Sequence, residues 1–514
     1  MKTKTRLGAI ASALLLLGAI TAFADGTTLR IGQVGDIRSL EPYRNATPNY
    51  LFIENLYDQL LFNPRNGGFE GEAAVSWEIS SDFTTATVTL REGMVSHDGT
   101  PADAHMLKWD IEERRKGWGR SDMPVFGGVD ATVNVIDDLT AEITLSKPFA
   151  NMETKLSLFM LTDPDMYMRD DGAVAEFNQE DKVIGSGPFK LVEYEPGSHM
   201  HWEKFADHWD ADSVALERVE ITYFGDAAAM VAALEAGEID LAYRPPYADA
   251  VRFLDDSDYT VWIPETVGLA SILMVNPNAP GLEDKRVRQA ISWAINREAV
   301  SGAIFEGLGM PTASPAVPAS FAYTPELDAI PPQGDADKAR ELLAAAGNPE
   351  VSVKFTYPSN DTSAELIAQV VQANLKDVGI TLELDPQERN IYIQMRTSQT
   401  FQMMASVMAG SNGHPADLTD SFVFHPVNHG FFNDPEETVI PEYQSYVDNF
   451  NKGMAATTDA ESVEAWSNAL LAINDGAWVL FLSSQPYISV STSALKGLTW
   501  TQHDKPVFKY VHFE

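Results

Sequence analysis

Cysteine is absent from this chain of 514 residues. Without thiols the protein can form neither disulfides nor thiolate metal sites, and it has no cysteine nucleophile. Basic residues are also scarce, because 36 Lys and Arg stand against 74 Asp and Glu, for a formal charge of −38. Such a negative field repels nucleic acid and anionic lipid. We therefore expect no nucleic-acid partner and no direct membrane anchor.

Long hydrophobic runs are also missing after the first 24 residues, where no stretch approaches the roughly 20 consecutive apolar residues of a membrane-spanning helix. The amino terminus has a basic start, an apolar run of 14 residues over 7–20, and Ala22 and Ala24 in an A-x-A arrangement. This pattern is typical of a secretory signal peptide. We predict a signal peptide over 1–24, cleavage after Ala24 and a mature protein free in solution outside the cytoplasm.

The motifs of well-known catalytic sites are not present either. The sequence contains no GxSxG, HExxH, Walker A or GxGxxG pattern. With 74 acidic residues, carboxylate pairs are too common by chance to single out a glycosidase pair. The motifs therefore support no catalytic site, and a secreted hydrolase of unrecognised motif stays an alternative.

Strand and helix patterns alternate along the chain. The sequence TATVTL at 85–90 alternates apolar and polar residues, which is typical of a strand. Asp284 and Asp335 each precede a segment with helical apolar spacing, and we expect both to be N-caps. We also expect Thr100 to cap a helix and Thr362 to begin a capping box. Helices that alternate with strands predict an α/β protein.

Two histidine pairs have spacings that metal sites use. His199 and His201 would share one face of a strand, and His425 and His429 lie four residues apart. Pro426 makes a helix at the second pair improbable on geometric grounds. Because short motifs recur by chance, we favour a solvated strand face for the first pair and no metal role for the second, where metal binding stays the alternative. We therefore predict no metal ligands.

Five sequence blocks occur in an order that is typical of one family. They are SWEISSDFTTATVTLREGMVSHDGTPADAHMLKWDIE (76–112), GSGPFKLVEYEPG (185–197), ALEAGEIDLAY (233–243), KRVRQAISWAINREAV (285–300) and DADKARELLAAAG (335–347). Each block alone is weak evidence. In this order, behind a signal peptide, they make the mature chain resemble the family 5 extracytoplasmic solute-binding proteins of ABC transporters, the peptide, nickel and oligosaccharide class.

The resemblance implies a two-lobed α/β fold of the periplasmic binding protein kind, with mixed sheets and an extra subdomain in the first lobe. Lobe I would comprise 25–60, 185–268 and 486–514, its subdomain 61–184, and lobe II 269–485. The lobes would close by a hinge around a small-molecule ligand. An inner-membrane ABC permease would then receive the ligand from a monomeric binding protein of the periplasm, which is not an enzyme and uses no cofactor.

By the same resemblance, the stretch MAGSNGHPADLTD at 408–420 faces the cleft. Peptide-binding members place a Trp after the glycine here and an Asp three residues later, which pairs with the amino group of the peptide. Ser411 and His414 stand at those positions, and Asp417 is three positions out of register. A buried ammonium without a carboxylate is costly. The sequence therefore predicts either a short peptide, which is the family default, or a sugar-derived or opine-like solute.

The ligand-contact residues that the resemblance implies come from several segments. Arg389 would replace the cation that peptide binders keep for a carboxylate, or it would only balance Glu388. The full predicted set is Asn45, Tyr50, Trp118, Arg120, Arg389, Tyr392, Ser411, Asn412, His414, Asp417 and His429. Trp118, Arg120 and His429 fall near the residues that hold a nickel chelate in other members, so a nickel-chelate receptor is an alternative. A periplasmic chaperone that binds unfolded peptides is a further rival.

Overall fold

The computed structural model describes most of the chain between Thr27 and Glu514. The described residues are 27–37, 40, 53–63, 68–112, 129–149, 152–167, 183–263, 269–316, 320–409, 415, 440–501 and 506–514. The predicted signal peptide lies outside these residues. Of the predicted ligand-contact residues, Arg389 and Tyr392 lie within them, and the others lie outside.

The described residues form the alternating strands and helices that the sequence patterns predict. In chain order the strands are β1 (Thr28–Val34), β2 (Leu61–Phe62), β3 (Glu70–Gly71), β4 (Ala74–Ile79), β5 (Thr85–Leu90), β6 (Ala131–Val135), β7 (Thr140–Leu145), β8 (Phe189–Glu195), β9 (His199–Lys204), β10 (Arg218–Phe224), β11 (Leu241–Tyr243), β12 (Tyr259–Trp262), β13 (Leu269–Val275), β14 (Met310–Pro311), β15 (Ser352–Pro358), β16 (Thr381–Gln387), β17 (Met403–Ala409), β18 (Val479–Gln485), β19 (Ser489–Thr492), β20 (Leu495–Lys496), β21 (Thr499–Trp500), β22 (Pro506–Val507) and β23 (His512–Phe513).

The α-helices of the described residues are α1 (Ala104–Glu112), α2 (Met152–Ser157), α3 (Ala227–Glu235), α4 (Tyr247–Ala250), α5 (Lys285–Ala294), α6 (Arg297–Phe305), α7 (Ala336–Ala345), α8 (Thr362–Asp377), α9 (Arg389–Thr397), α10 (Pro441–Met454) and α11 (Asp459–Gly476). In this part of the chain, no helix combines the length and the apolar character that a membrane crossing requires.

Two large mixed sheets organise the fold. The first has the strand order β12-β19-β11-β1-β10-β9-β8, in which β1 pairs parallel with both β10 and β11. The second has the order β14-β18-β13-β17-β15-β16, in which β15 pairs parallel with β16 and β17. A four-stranded antiparallel sheet, β4-β5-β7-β6, has its own core around Val88, Leu107 and Ile143. The predicted α/β class and the mixed sheets are present, and the predicted lobe boundaries stay predictions.

Helix starts follow the predicted capping chemistry at Asp284 and Asp335. The carboxylate of Asp284 accepts a hydrogen bond from the Arg286 N–H, and that of Asp335 accepts one from the Lys338 N–H. Each bond satisfies a donor that the first turn of a helix leaves unpaired.

The two helix caps that we predict at threonines, Thr100 and Thr362, are wrong. Helix α1 begins at Ala104, and the carboxylate of Asp103 accepts its first N–H groups. Thr100 instead closes a turn, since its carbonyl oxygen accepts from the Ser96 N–H. At α8 the cap is Asp361, which accepts from the Ala364 N–H, while Thr362 is already helical. In both places an aspartate provides the N-cap acceptor, Asp103 three residues after Thr100 and Asp361 directly before Thr362. Aspartate fills this role at least as well as threonine.

The glycines of the GSGPF block allow two backbone segments to touch. A Cβ at Gly185 would lie 1.9 Å from the Leu56 carbonyl oxygen, and a Cβ at Gly187 would lie 2.4 Å from the Tyr57 nitrogen. Only glycine permits approaches this close. The hydroxyl of Ser186 accepts a hydrogen bond from the Asp58 N–H at 3.3 Å, so the block is fixed against residues 56–58.

His97 connects the block at 76–112 to the same glycines. Its backbone N–H donates to the Gly185 carbonyl oxygen at 2.8 Å, and its ring Nδ1 accepts from the Gly185 N–H at 3.2 Å. Its Nε2 lies 3.1 Å from the Gly187 carbonyl oxygen, to which it can donate. One ring nitrogen accepts while the other donates, so this arrangement requires the neutral imidazole. Burial lowers the pKa of His97 to about 4.

We expect replacement of His97 by glutamine to remove a pH-dependent part of the stability. In the unfolded chain a histidine binds a proton below about pH 6.5, whereas folded His97 resists protonation down to about pH 4. Stability should therefore fall as the pH drops through this window, by about 2 kcal/mol between pH 6.5 and 4.5. Glutamine keeps one acceptor and one donor without titrating.

The measurement is the free energy of unfolding in urea at several pH values for the native protein and His97→Gln. Acidic residues contribute equally to both proteins, so the difference between them isolates His97. A difference that does not change with pH would contradict a neutral His97 in the folded state.

Candidate functional site

The carboxyl ends of parallel strands mark one edge of the second large sheet. Strands β15, β16 and β17 run parallel and end at Pro358, Gln387 and Ala409, so their ends lie at the same edge. Open α/β sheets bind ligands outside this edge. The stretch at 408–420 begins in the last residues of β17, where Met408 is buried. Within that stretch Pro415 is described and buried, whereas Ser411, Asn412, His414 and Asp417 lie outside the described residues.

Arg389 lies at this edge, at the start of α9 directly after β16. Its side chain is exposed to solvent. Its neighbour Glu388 accepts the Asn390 N–H at 2.9 Å as the helix N-cap, so the carboxylate of Glu388 has a structural role of its own. The position of Arg389 is compatible with the predicted ligand contact, which stays a prediction.

Tyr392 lies one turn further along α9 and points into the protein. Its side chain is buried, and its hydroxyl donates to the Ala405 carbonyl oxygen at 2.6 Å. Burial raises the pKa of this phenol, which keeps the donating proton in place. Tyr392 therefore fastens α9 to β17, and its predicted contact with a ligand stays a prediction.

The first large sheet has a corresponding edge, where the parallel strands β1, β10 and β11 end. Arg244 follows β11 and has a φ of 53°, a left-handed conformation that costs a residue with a Cβ about 1–2 kcal/mol. Its backbone N–H donates to the Ile488 carbonyl oxygen at 3.1 Å. Its guanidinium carbon lies 4.0 Å from the centre of the Tyr487 ring. Non-glycine residues in such a conformation cluster at functional sites.

These contacts lie where the chain passes between the two large sheets. Strand β18 of the second sheet ends at Gln485 and β19 of the first begins at Ser489, so residues 486–488 make the passage. The chain also passes between the sheets after β12, which belongs to the first sheet, because β13 belongs to the second. Leu269, the first residue of β13, pairs with Gln485, so β13 starts beside residues 486–488. We call Arg244, Tyr247, Phe305 and residues 485–488 the junction.

Tyr247 and Phe305 bring the two sides of the junction into contact. Tyr247 in α4 and Phe305 in α6 pack edge to face, with ring centres 5.1 Å apart. The Tyr247 hydroxyl donates to the Pro486 carbonyl oxygen at 2.9 Å. Burial raises the pKa of Tyr247 to about 12, so the hydroxyl remains a donor at neutral pH. The aromatic pair and the hydrogen bond limit how the two sides can move.

Sequence reasoning did not identify the junction residues. Arg244 in YRPPY follows a strand and precedes two prolines, which is the pattern of a rigid turn, but no local pattern indicates that Tyr487 packs on it. The separation of these residues along the chain hides the contact.

The structure also brings together potential metal ligands that the sequence left apart. Within the described ranges, ligand atoms lie within 4.8 Å of one another in two groups, Glu193 with His199 and His201, and Asp98 with Asp163 and Asp165.

Known proteins resemble this chain over most of its length. Residues 68–429 match the family described as bacterial extracellular solute-binding proteins, family 5, middle region. Among curated proteins, the glutathione-binding protein GsiB of Pectobacterium atrosepticum is 26% identical over 477 residues, which cover 89% of each chain.

Solved structures share the fold. The ABC transporter substrate-binding protein CtaP of Listeria monocytogenes superposes with a TM-score of 0.81 at 23% identity, covering 95% of this chain and 99% of that one. NikA of Brucella suis, in complex with Fe(III)-EDTA, also gives 0.81, at 21% identity over 95% of this chain and 100% of that one. The predicted two-lobed periplasmic binding protein fold is confirmed.

We expect two substitutions at Arg244 to separate its side chain from its backbone. Arg244→Ala and Arg244→Gly both remove the guanidinium from the Tyr487 ring, but only alanine keeps the cost of the left-handed conformation. The glycine variant should be more stable by about 1 kcal/mol in urea unfolding. At an unstrained helical position the order is reversed, because glycine is the less stable residue there. An alanine variant that equals or exceeds the glycine variant would show that the junction backbone is not strained.

Proposed function

Because this chain belongs to the family 5 bacterial extracellular solute-binding proteins, we propose that it captures a small polar organic solute between its two lobes and delivers it to an inner-membrane permease. The predicted family and the predicted role as the substrate-binding protein of an ABC importer are confirmed, and the family acts outside the cytoplasm. The identity of the solute, the contacts and the closing motion are the content of the proposal.

The junction is the observation that carries the proposed mechanism. A short passage at 486–488, held by Arg244 and Tyr247, links two bodies that each have their own sheet and core. Bodies joined in this way rotate by changing a few backbone angles in the linking residues. A ligand that contacts both bodies only in the closed arrangement shifts the balance toward closure.

The solute we propose is a short peptide, or a sugar-derived or opine-like compound of similar size. The first alternative is supported by the family and by GsiB, a relative named for binding the tripeptide glutathione. The second is supported by Ser411 and His414, which stand where peptide-binding members of the family place a tryptophan and the aspartate that pairs with the peptide amine. Arg389 is exposed at the carboxyl edge of β16, which supports a contact between its guanidinium and a carboxylate of a peptide or an opine-like solute.

Three finer statements belong to the same proposal. The protein binds and releases its solute without converting it, since its relatives are named as binding proteins. It acts as a monomer that a permease recognises in the closed form. It is exported by a signal peptide that is cleaved after Ala24, which leaves the mature chain free in the periplasm.

We expect the native solute to co-purify with the protein. We also expect its binding affinity to depend on the residues at the carboxyl edge of the second sheet. Mass spectrometry of small molecules released by denaturation identifies the solute, and calorimetry with it and with glutathione measures affinity. His414→Ala and Arg389→Gln should each weaken binding about 10- to 100-fold, because each removes a hydrogen bond to a polar or charged group.

Lys376→Gln is the matched control for the charge change. Lys376 is exposed in the last turn of α8, which leads into the amino end of β16 and not its carboxyl end. Its removal should leave affinity unchanged. Unchanged affinity in both His414→Ala and Arg389→Gln would exclude this edge from the site, and conversion of the solute during incubation would favour a hydrolase instead.

A further inference from the structure

A strand pair at one end of the first large sheet brings two histidines and a glutamate together. In β9, Met200 and Trp202 are fully buried, so His199 and His201 lie on the opposite, partly exposed face. Strand β8 is the end strand of the sheet and pairs antiparallel with β9. The carboxylate in the group belongs to Glu193 of this neighbouring strand.

A β-bulge places Glu193 on the histidine face. Leu191 of β8 pairs with Trp202 of β9. His201, which precedes Trp202, pairs with Glu193 and not with Val192, so Val192 is an extra residue in β8. In a regular ladder Val192 would stand opposite His201. Bulges commonly re-aim a side chain in this way. The sequence could not indicate this register, which is why His199 and His201 alone favoured a solvated face.

The two distances between histidine nitrogens and Glu193 oxygens are close to the spacing of ligands around a small ion. His201 Nδ1 lies 3.3 Å from one Glu193 oxygen, and His199 Nε2 lies 3.6 Å from the other. Two ligand atoms at about 2.1 Å from a tetrahedral zinc ion are roughly 3.4 Å apart. The observed separations exceed the usual 2.7–3.2 Å of an N–H···O hydrogen bond. The two rings lie side by side, with centres 4.5 Å apart and a tilt of 33°.

The second nitrogen of His199 has a partner of the kind that orients metal-binding histidines. Its Nδ1 lies 2.9 Å from the Ser198 hydroxyl oxygen. If Nδ1–H donates to that oxygen, the lone pair of Nε2 points toward the group. Hydrogen bonds of this type fix the tautomer and the orientation of a ligating imidazole.

We propose that Glu193, His199 and His201 bind a divalent transition-metal ion of borderline softness, with Zn²⁺ as the representative, and leave the fourth position to water. Two imidazoles and one carboxylate are a ligand set that zinc accepts in open sites. Imidazole nitrogen favours Zn²⁺, Ni²⁺ and Cu²⁺ over Mg²⁺ and Ca²⁺, which prefer oxygen. Glu195 and Glu220 stand opposite His199 and His201 in the neighbouring strands and add negative charge.

The site is separate from the proposed function of the cleft. None of its residues belongs to the predicted ligand-contact set or to the junction. An ion held by both β8 and β9 would cross-link the end strand of the sheet to its neighbour. Since the ligands are assembled only in the folded protein, the ion would stabilise the fold.

The test is a Zn²⁺ titration of the metal-free mature protein by calorimetry, in excess Mg²⁺. The Mg²⁺ occupies oxygen-only sites, such as the group of Asp98, Asp163 and Asp165. We expect one Zn²⁺ per chain and a zinc-dependent rise in the melting temperature. His199→Ala and His201→Ala should each weaken binding at least 100-fold, and Ser198→Ala by about tenfold as an orienting residue. The folding of each variant is checked by its melting temperature in EDTA.

His105→Ala is the matched control, because His105 is an exposed histidine that lies 3.9 Å from the single carboxylate of Asp138. It should bind Zn²⁺ as the native protein does. Retention of the zinc affinity and of the thermal shift in the double variant His199→Ala/His201→Ala would overturn the proposal. An equal loss of zinc affinity in His105→Ala, or displacement of Zn²⁺ by Mg²⁺, would overturn the proposal as well. Anomalous diffraction at the zinc edge from zinc-soaked crystals should place the ion between the three side chains.

Discussion

The contact between Arg244 and Tyr487 fixes the place where the chain passes from one large sheet to the other. The guanidinium covers the ring at 4.0 Å, and the left-handed backbone of Arg244 lets its N–H reach the Ile488 carbonyl oxygen. A cation over an aromatic face contributes about 0.5–2 kcal/mol, which is comparable with the backbone cost. The stacking energy only offsets the cost of the left-handed backbone of Arg244. Residues 486–488 are therefore held in one conformation with little net stabilisation from this contact.

Within the two bodies the contacts are of a different kind and leave little freedom. His97 uses both ring nitrogens and its backbone N–H on Gly185 and Gly187, whose missing side chains allow backbone to lie against backbone. In the second body, the buried Arg297 donates to the carbonyl oxygens of Ser292 and Phe481 and ties α6 to β18. Close-packed interiors transmit movement as rigid units, so the proposed closure requires changes of backbone angle at the junction and not within the two bodies.

The sequence predicted best what depends on local pattern. Strand β5 coincides with the alternating stretch at 85–90, because a strand with one buried face repeats every two residues. The helix caps at Asp284 and Asp335 were predicted correctly, whereas those at Thr100 and Thr362 were wrong, because Asp103 and Asp361 provide the acceptors there. The order of five blocks identified the family and, through it, the fold. The Arg244–Tyr487 contact and the position of Glu193 depend on residues far apart in the chain or on a bulge, and no local period contains that information.

Closure of two bodies around a captured solute is the central claim, and small-angle X-ray scattering of the mature protein tests it most directly. The protein is first freed of its solute by partial unfolding and refolding, and the solute identified by mass spectrometry is then added to saturation. The account predicts a smaller radius of gyration and a shorter maximum dimension in the bound state, with no change on adding a compound that does not bind. Identical scattering in the free and saturated states would contradict it.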